Sequence, residues 1–144
     1  MSNLLLPIGA FVMQLGWLRI MGINPNVLLV LLIIVARHTK NIWGYWIAVA
    51  ISIALLETTP GFEWESLCII VIACTSILWS RYAPFHPLLG TMVLIILVTI
   101  GWHAVFIGDL IMQKPMIVIG EIIYNTLLGV IIYGVMEMRY GART

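Results

Sequence analysis

Six apolar stretches, parted only by short groups of charged and turn-forming residues, account for most of this chain: residues 4–22, 25–36, 42–56, 62–80, 87–108 and 115–138. A bilayer core roughly 30 Å thick is crossed by about 20 apolar residues of helix, so runs of this kind in such number point to a chain that lives in lipid. Only 9% of the 144 residues are charged and 62% are hydrophobic, against roughly one-quarter charged in soluble domains. The sequence therefore predicts an all-α fold, a polytopic membrane helix bundle of six transmembrane segments forming one integral membrane domain over residues 1–144. No length remains for a soluble catalytic domain.

The second and third stretches are short. Twelve helical residues reach only about 18 Å at roughly 1.5 Å each, which predicts a shallow or tilted hairpin. Its tip, Arg37-His38-Thr39-Lys40-Asn41, is followed by Trp43, Tyr45 and Trp46. Aromatic residues of this kind prefer the headgroup level and basic side chains snorkel past it, so the tip is expected to touch water. Cationic residues sort to the cytoplasmic side of short loops. With the N-terminus inside, Arg37, Lys40, Arg81, Arg139 and Arg143 fall on that side, Lys114 falls outside, and Glu57, Glu63, Glu65 and Asp109 lie at or near outer ends. Six spans with both termini inside satisfy this bias.

Several function classes lack their residues. A net charge of +1 gives no basic surface for nucleic acid. Asp109 is the only aspartate, which excludes a di-aspartyl protease and an aspartate-rich metal site. Neither H-E-x-x-H nor G-x-S-x-G occurs, and no glycine-rich phosphate loop is present. Cys68 and Cys74 are six apart in one apolar run, on different faces of a helix, and make neither a redox pair nor a zinc ligand set. No catalytic, cofactor-binding or metal-binding residue is expected.

Ionisable groups inside a membrane are costly and turn toward the bundle, so they mark the candidate site. Counted at roughly 1.5 Å per residue from the outer ends, Arg19 lies about 5 Å deep, His103 about 8 Å and Glu121 about 9 Å, with Glu57 at the outer mouth. Residues three, four and seven apart share a helix face. Arg19 thus shares one with Gly16 and Gly9, Glu57 with Ala54 and Ala50, His103 with Thr99, and Glu121 with Asn125. The small residues of the Gly9/Gly16 and Ala50/Ala54 faces suit close helix packing in lipid. The favoured expectation is structural: Arg19 neutralises Glu121 or Glu57, and His103 and Asn125 complete a hydrogen-bond network. A polar-ligand pocket open to the outside is the sharper alternative.

The run from Asn24-Pro25-Asn26 through Val27-Leu28-Leu29-Val30-Leu31-Leu32, a short polar tip, and then AVAISIALLETTPGFEWESL resembles the MreD family of rod-shape-determining membrane proteins. That family opens its second span with Pro-Asn or Pro-Asp before Leu and Val, and ends its third with an acidic residue before a Ser/Gly/Pro loop. Glu57 with Thr58-Thr59-Pro60-Gly61 stands at that position, with Glu for the customary Asp, and Ala50, Ser52 and Ala54 replace the usual glycines. The last span, with Tyr124-Asn125-Thr126-Leu127-Leu128 and a basic tail carrying Arg139 and Arg143, also looks similar. The resemblance implies a non-enzymatic scaffold subunit of the cell-elongation machinery. Such a subunit binds a bitopic MreC-like partner and couples cytoplasmic filaments to peptidoglycan synthesis. The family is similar in architecture to the substrate-binding subunits of energy-coupling-factor vitamin transporters, which supplies a second expectation. There the outer polar cluster would hold a vitamin-like ligand, and the Ala50/Ala54 face would dock a transport partner.

Overall fold

A computed structural model describes residues 26–39, 41–56, 63–84, 86–106 and 108–140 of the chain, and every element in them is helical. In order these are α1 (Val27–His38), α2 (Ile42–Leu56), α3 (Glu63–Tyr82), α4 (Pro87–Phe106), the short α5 (Gly108–Gln113) and α6 (Pro115–Tyr140). Residues 4–22, expected as the first span, lie outside the described residues. Of the others, α3, α4 and α6 are long and apolar enough to cross a membrane, while α1 and α2 are shorter apolar helices.

Local signals explain where the helices start. Asn26 caps α1, its side-chain oxygen accepting from the Leu29 N–H at 3.2 Å, and Asn41 receives the Trp43 and Gly44 N–H groups at the head of α2. Pro87 and Pro115 occupy the first positions of α4 and α6, where a residue without an N–H forfeits nothing.

The first helix of the hairpin expected to be shallow or tilted stands at the centre of the described helices. α1 packs on α2, α3, α4 and α6, and every residue from Val27 to Ala36 is buried. One side of it, Leu28, Leu32, Val35 and Ala36, meets Tyr45 and Val49 of α2 and Ile69 and Ala73 of α3. The other, Leu29, Val30, Ile33 and Ile34, meets Leu94 and Ile95 of α4 and Met136 of α6. A helix too short to span lipid is stable here because its ends are enclosed by protein, where side chains can satisfy its terminal backbone groups. At its C-terminal end Thr39 N–H donates to Val35 O, the His38 ring donates to Ile34 O, and the Arg37 guanidinium reaches Ser80 O at 3.2 Å. Of the expected tip, Asn41 is exposed, Arg37, His38 and Thr39 are half-buried, and Lys40 lies outside the described residues.

The Ala50/Ala54 packing face is corrected as well. Both alanines are exposed, and α2 turns Tyr45, Ala48, Val49 and Ser52 inward. Polarity decides the rotation. The Tyr45 hydroxyl donates to Ala73 O and the Ser52 hydroxyl to Ala48 O, so the inward face keeps both hydroxyls away from lipid and bonded. Large apolar side chains cover the outer faces, with Trp64, Leu67, Val71, Leu78 and Tyr82 along α3 and Met116, Ile119, Ile123, Leu127, Ile131 and Val135 along α6.

Candidate functional site

Three residues of the expected polar cluster, His103, Glu121 and Asn125, meet where α1, α4 and α6 pack together. α4 supplies Thr99 and His103, one turn apart on its inward face, and α6 supplies Glu121 and Asn125 with the same spacing. The two helices run side by side in opposite directions, so the deeper member of each pair meets the other: Asn125 donates from Nδ2 to Thr99 Oγ1 at 3.2 Å. Nearer the end of the bundle, His103 Nε2 stands 2.6 Å from Glu121 Oε2. The His103 Nδ1 sits 2.9 Å from Thr99 O, and because a carbonyl oxygen only accepts, that nitrogen is the donor.

Asn125 is 1% exposed and bonded at both ends of its amide. Its oxygen receives the backbone N–H of Asn26 at 3.0 Å, which fixes the amide orientation and leaves the Nδ2 hydrogens for Thr99. Asn26 thereby serves twice, closing the first turn of α1 with its side chain and anchoring that turn to α6 with its backbone. The chain of contacts runs Leu29, Asn26, Asn125, Thr99, His103, Glu121, across three helices. Each link satisfies a polar group that would cost about 1–3 kcal/mol if left bare inside the bundle.

His103, Glu121 and Asn125 thus come together, with His103 beside Glu121. Arg19, Glu57, Gly9 and Gly16 lie outside the described residues. Asn26 was missed as a site residue. Its signal was an N-cap amide directly before an apolar run, which foretells a helix start and says nothing of the residue it will meet on the last helix.

A second His–Glu pair was not foreseen. His38 Nε2 lies 3.2 Å from Glu137 Oε2 at the opposite end of α6, with the Tyr133 ring edge-on to His38 at 5.0 Å between centroids. Glu137 is 57% exposed, so this pair sits at the water-facing margin. Between the two polar ends Gly129 lies against Ile95 and Val30, and a Cβ at this position would collide with the Ile95 Cδ1. Here α6 and α4 approach closely and form an apolar layer that separates one polar group from the other.

Among the described residues no group of three or more His, Cys, Asp or Glu side chains converges, and Cys68 and Cys74 are unbridged. What this arrangement does is bind helices to one another. Comparison with known protein families, with curated proteins and with solved structures found no match.

Proposed function

We propose that the chain is a non-enzymatic scaffold subunit of a bacterial inner-membrane assembly, a six-crossing bundle with both termini inside that holds a bitopic partner in the cell-elongation machinery. One observation carries the scaffold part of this reading. The buried polar side chains at the α1/α4/α6 junction are engaged in ties between helices, which makes a rigid body with large apolar faces turned outward. Such a body suits lateral association with other membrane helices, where packing and a few hydrogen bonds replace the hydrophobic drive. The partner and the process come from the sequence resemblance to the MreD family, through the Pro25-Asn26 start and the Asn125-containing last helix.

Crosslinked pull-down from native membranes, paired with depletion in a rod-shaped host, tests the reading. Recovery of a single-span, wall-associated protein and rounding of depleted cells are expected. Unchanged cell shape overturns the elongation role. Co-purification of a pair of ATPases with a stoichiometric small molecule would instead identify a substrate-binding transporter subunit, with the His103–Glu121–Asn125 cluster as its pocket.

A further inference from the structure

Asn26 meets Asn125 and His38 meets Glu137, each pair 99 positions apart, so α1 runs parallel to α6, starting about halfway along it and ending level with its last turns. The end of α3 stands at the same height, because the Arg37 guanidinium donates to Ser80 O in its final turn at 3.2 Å. Trp43 at the head of α2 and Tyr82 at the end of α3 are both exposed. Aromatic rings at the ends of apolar helices settle among lipid headgroups, so this rim of the bundle lies at headgroup level.

Charge at the rim is uneven. Arg37 is half-buried, and Arg81, the residue after the one whose carbonyl Arg37 holds, is exposed. Both guanidiniums therefore gather at the last turn of α3. Among the described residues neither forms an ion pair, and Glu137, the carboxylate at this end, faces His38 instead. The Ser80 bond uses only part of the Arg37 guanidinium, whose N–H groups outnumber what one carbonyl can take.

From Arg81 an apolar strip leads away from the rim. Leu78, Cys74, Val71 and Leu67 follow at spacings of three and four residues, which keeps them on one face of α3, and all four are exposed. The strip runs for about 21 Å at roughly 1.5 Å per residue, more than the roughly 15 Å of hydrocarbon in one leaflet.

We propose that this end of the bundle binds an anionic phospholipid: its phosphate lies against Arg37 and Arg81, and an acyl chain lies along the Leu78–Leu67 strip of α3. Charge complementarity selects the occupant. A phosphodiester supplies the anion that the two arginines lack, and the planar fork of a guanidinium matches phosphate oxygens in pairs. A zwitterionic lipid brings a cation beside its phosphate and binds more weakly, while inorganic phosphate has no chain to lay on α3. The site requires only that the bundle sits in lipid, so it stands or falls independently of any role in cell elongation.

Native mass spectrometry of the full chain in uncharged detergent, titrated with dioleoylphosphatidylglycerol or dioleoylphosphatidylcholine, tests the site. The anionic lipid is expected to be retained at several-fold lower concentration, and high salt is expected to erase the difference. Arg81→Gln is the variant of choice, because Arg81 makes no bond that the fold depends on. It is expected to weaken phosphatidylglycerol binding about fivefold, the effect of one basic residue at an anionic surface, and to leave phosphatidylcholine binding and the circular dichroism spectrum unchanged. Arg81→Lys is expected to restore most of the loss. Excess inorganic phosphate is expected to leave the bound lipid in place. Equal retention of the two lipids, or unaltered phosphatidylglycerol binding in Arg81→Gln, would overturn the proposal. Displacement by inorganic phosphate at matching concentration would show a site for soluble anions instead, and a dimer peak lost in Arg81→Gln with lipid binding intact would assign the arginines to a contact between copies of the chain.

Discussion

Asn125 is the residue on which three helices depend, since its amide accepts from the head of α1 and donates to α4 while its backbone belongs to α6. Asn125→Leu keeps the approximate volume and leaves the Asn26 N–H without an acceptor. It is expected to cost about 1–2 kcal/mol, in line with side-chain hydrogen bonds measured in membranes and with the penalty of a buried donor left bare. Denaturant titration in detergent checks this, and an unchanged midpoint would show that Asn125 holds nothing. The residue was legible in the sequence because it lies one turn from Glu121 on a helix whose polar positions are few. Its partner was not, since Asn26 is 99 positions away and no periodicity relates the two. The same limit hid the contact between His103 and Glu121, because helix rotation is set by packing that a single sequence does not display.

At the scale of the element, α1 is the instructive case. Its shortness was legible in the sequence, yet a helix apolar all round is equally at home against lipid and against protein. Lipid is excluded by its twelve residues, too few to reach both surfaces, once other helices are available to enclose it. α2 shows the converse, for its two small residues, Ala50 and Ala54, suggested a seam, and the need to hide the Tyr45 and Ser52 hydroxyls turned the opposite face inward. The bundle's dependence on α1 can be measured. Ile34→Ala removes a fully buried side chain and is expected to cost about 2–4 kcal/mol, whereas Ile47→Ala on the exposed face of α2 is expected to cost less than about 0.5 kcal/mol. Equal losses at the two sites would mean that α1 is not central.

For the whole molecule, the described helices gather Arg37, His38, Arg81 and Glu137 at one end and Glu65, His103, Lys114 and Glu121 at the other. The first set carries the excess of arginine, so the proposed N-in arrangement would put that end in the cytoplasm. Asn41 and Met112 are exposed at opposite ends and serve as reporters. With Cys68 and Cys74 replaced by Ser, Met112→Cys is expected to react with a membrane-impermeant maleimide in intact cells, and Asn41→Cys only after the cells are opened. Labelling of both from outside would overturn the six-crossing, N-in arrangement. The chain's membrane character and its helix boundaries were readable in the sequence because hydropathy and proline positions act locally. The central place of α1 arises only when α2, α3, α4 and α6 close around it.

The Asn26–Asn125 bond also has a consequence in time. A ribosome delivers α1 long before α6 exists, so a nascent chain carries this short helix with an unfilled anchor and no wall on one side until α6 emerges. Biogenesis of this protein must therefore shelter that helix, in the translocon or beside an insertase, until α6 arrives to complete it.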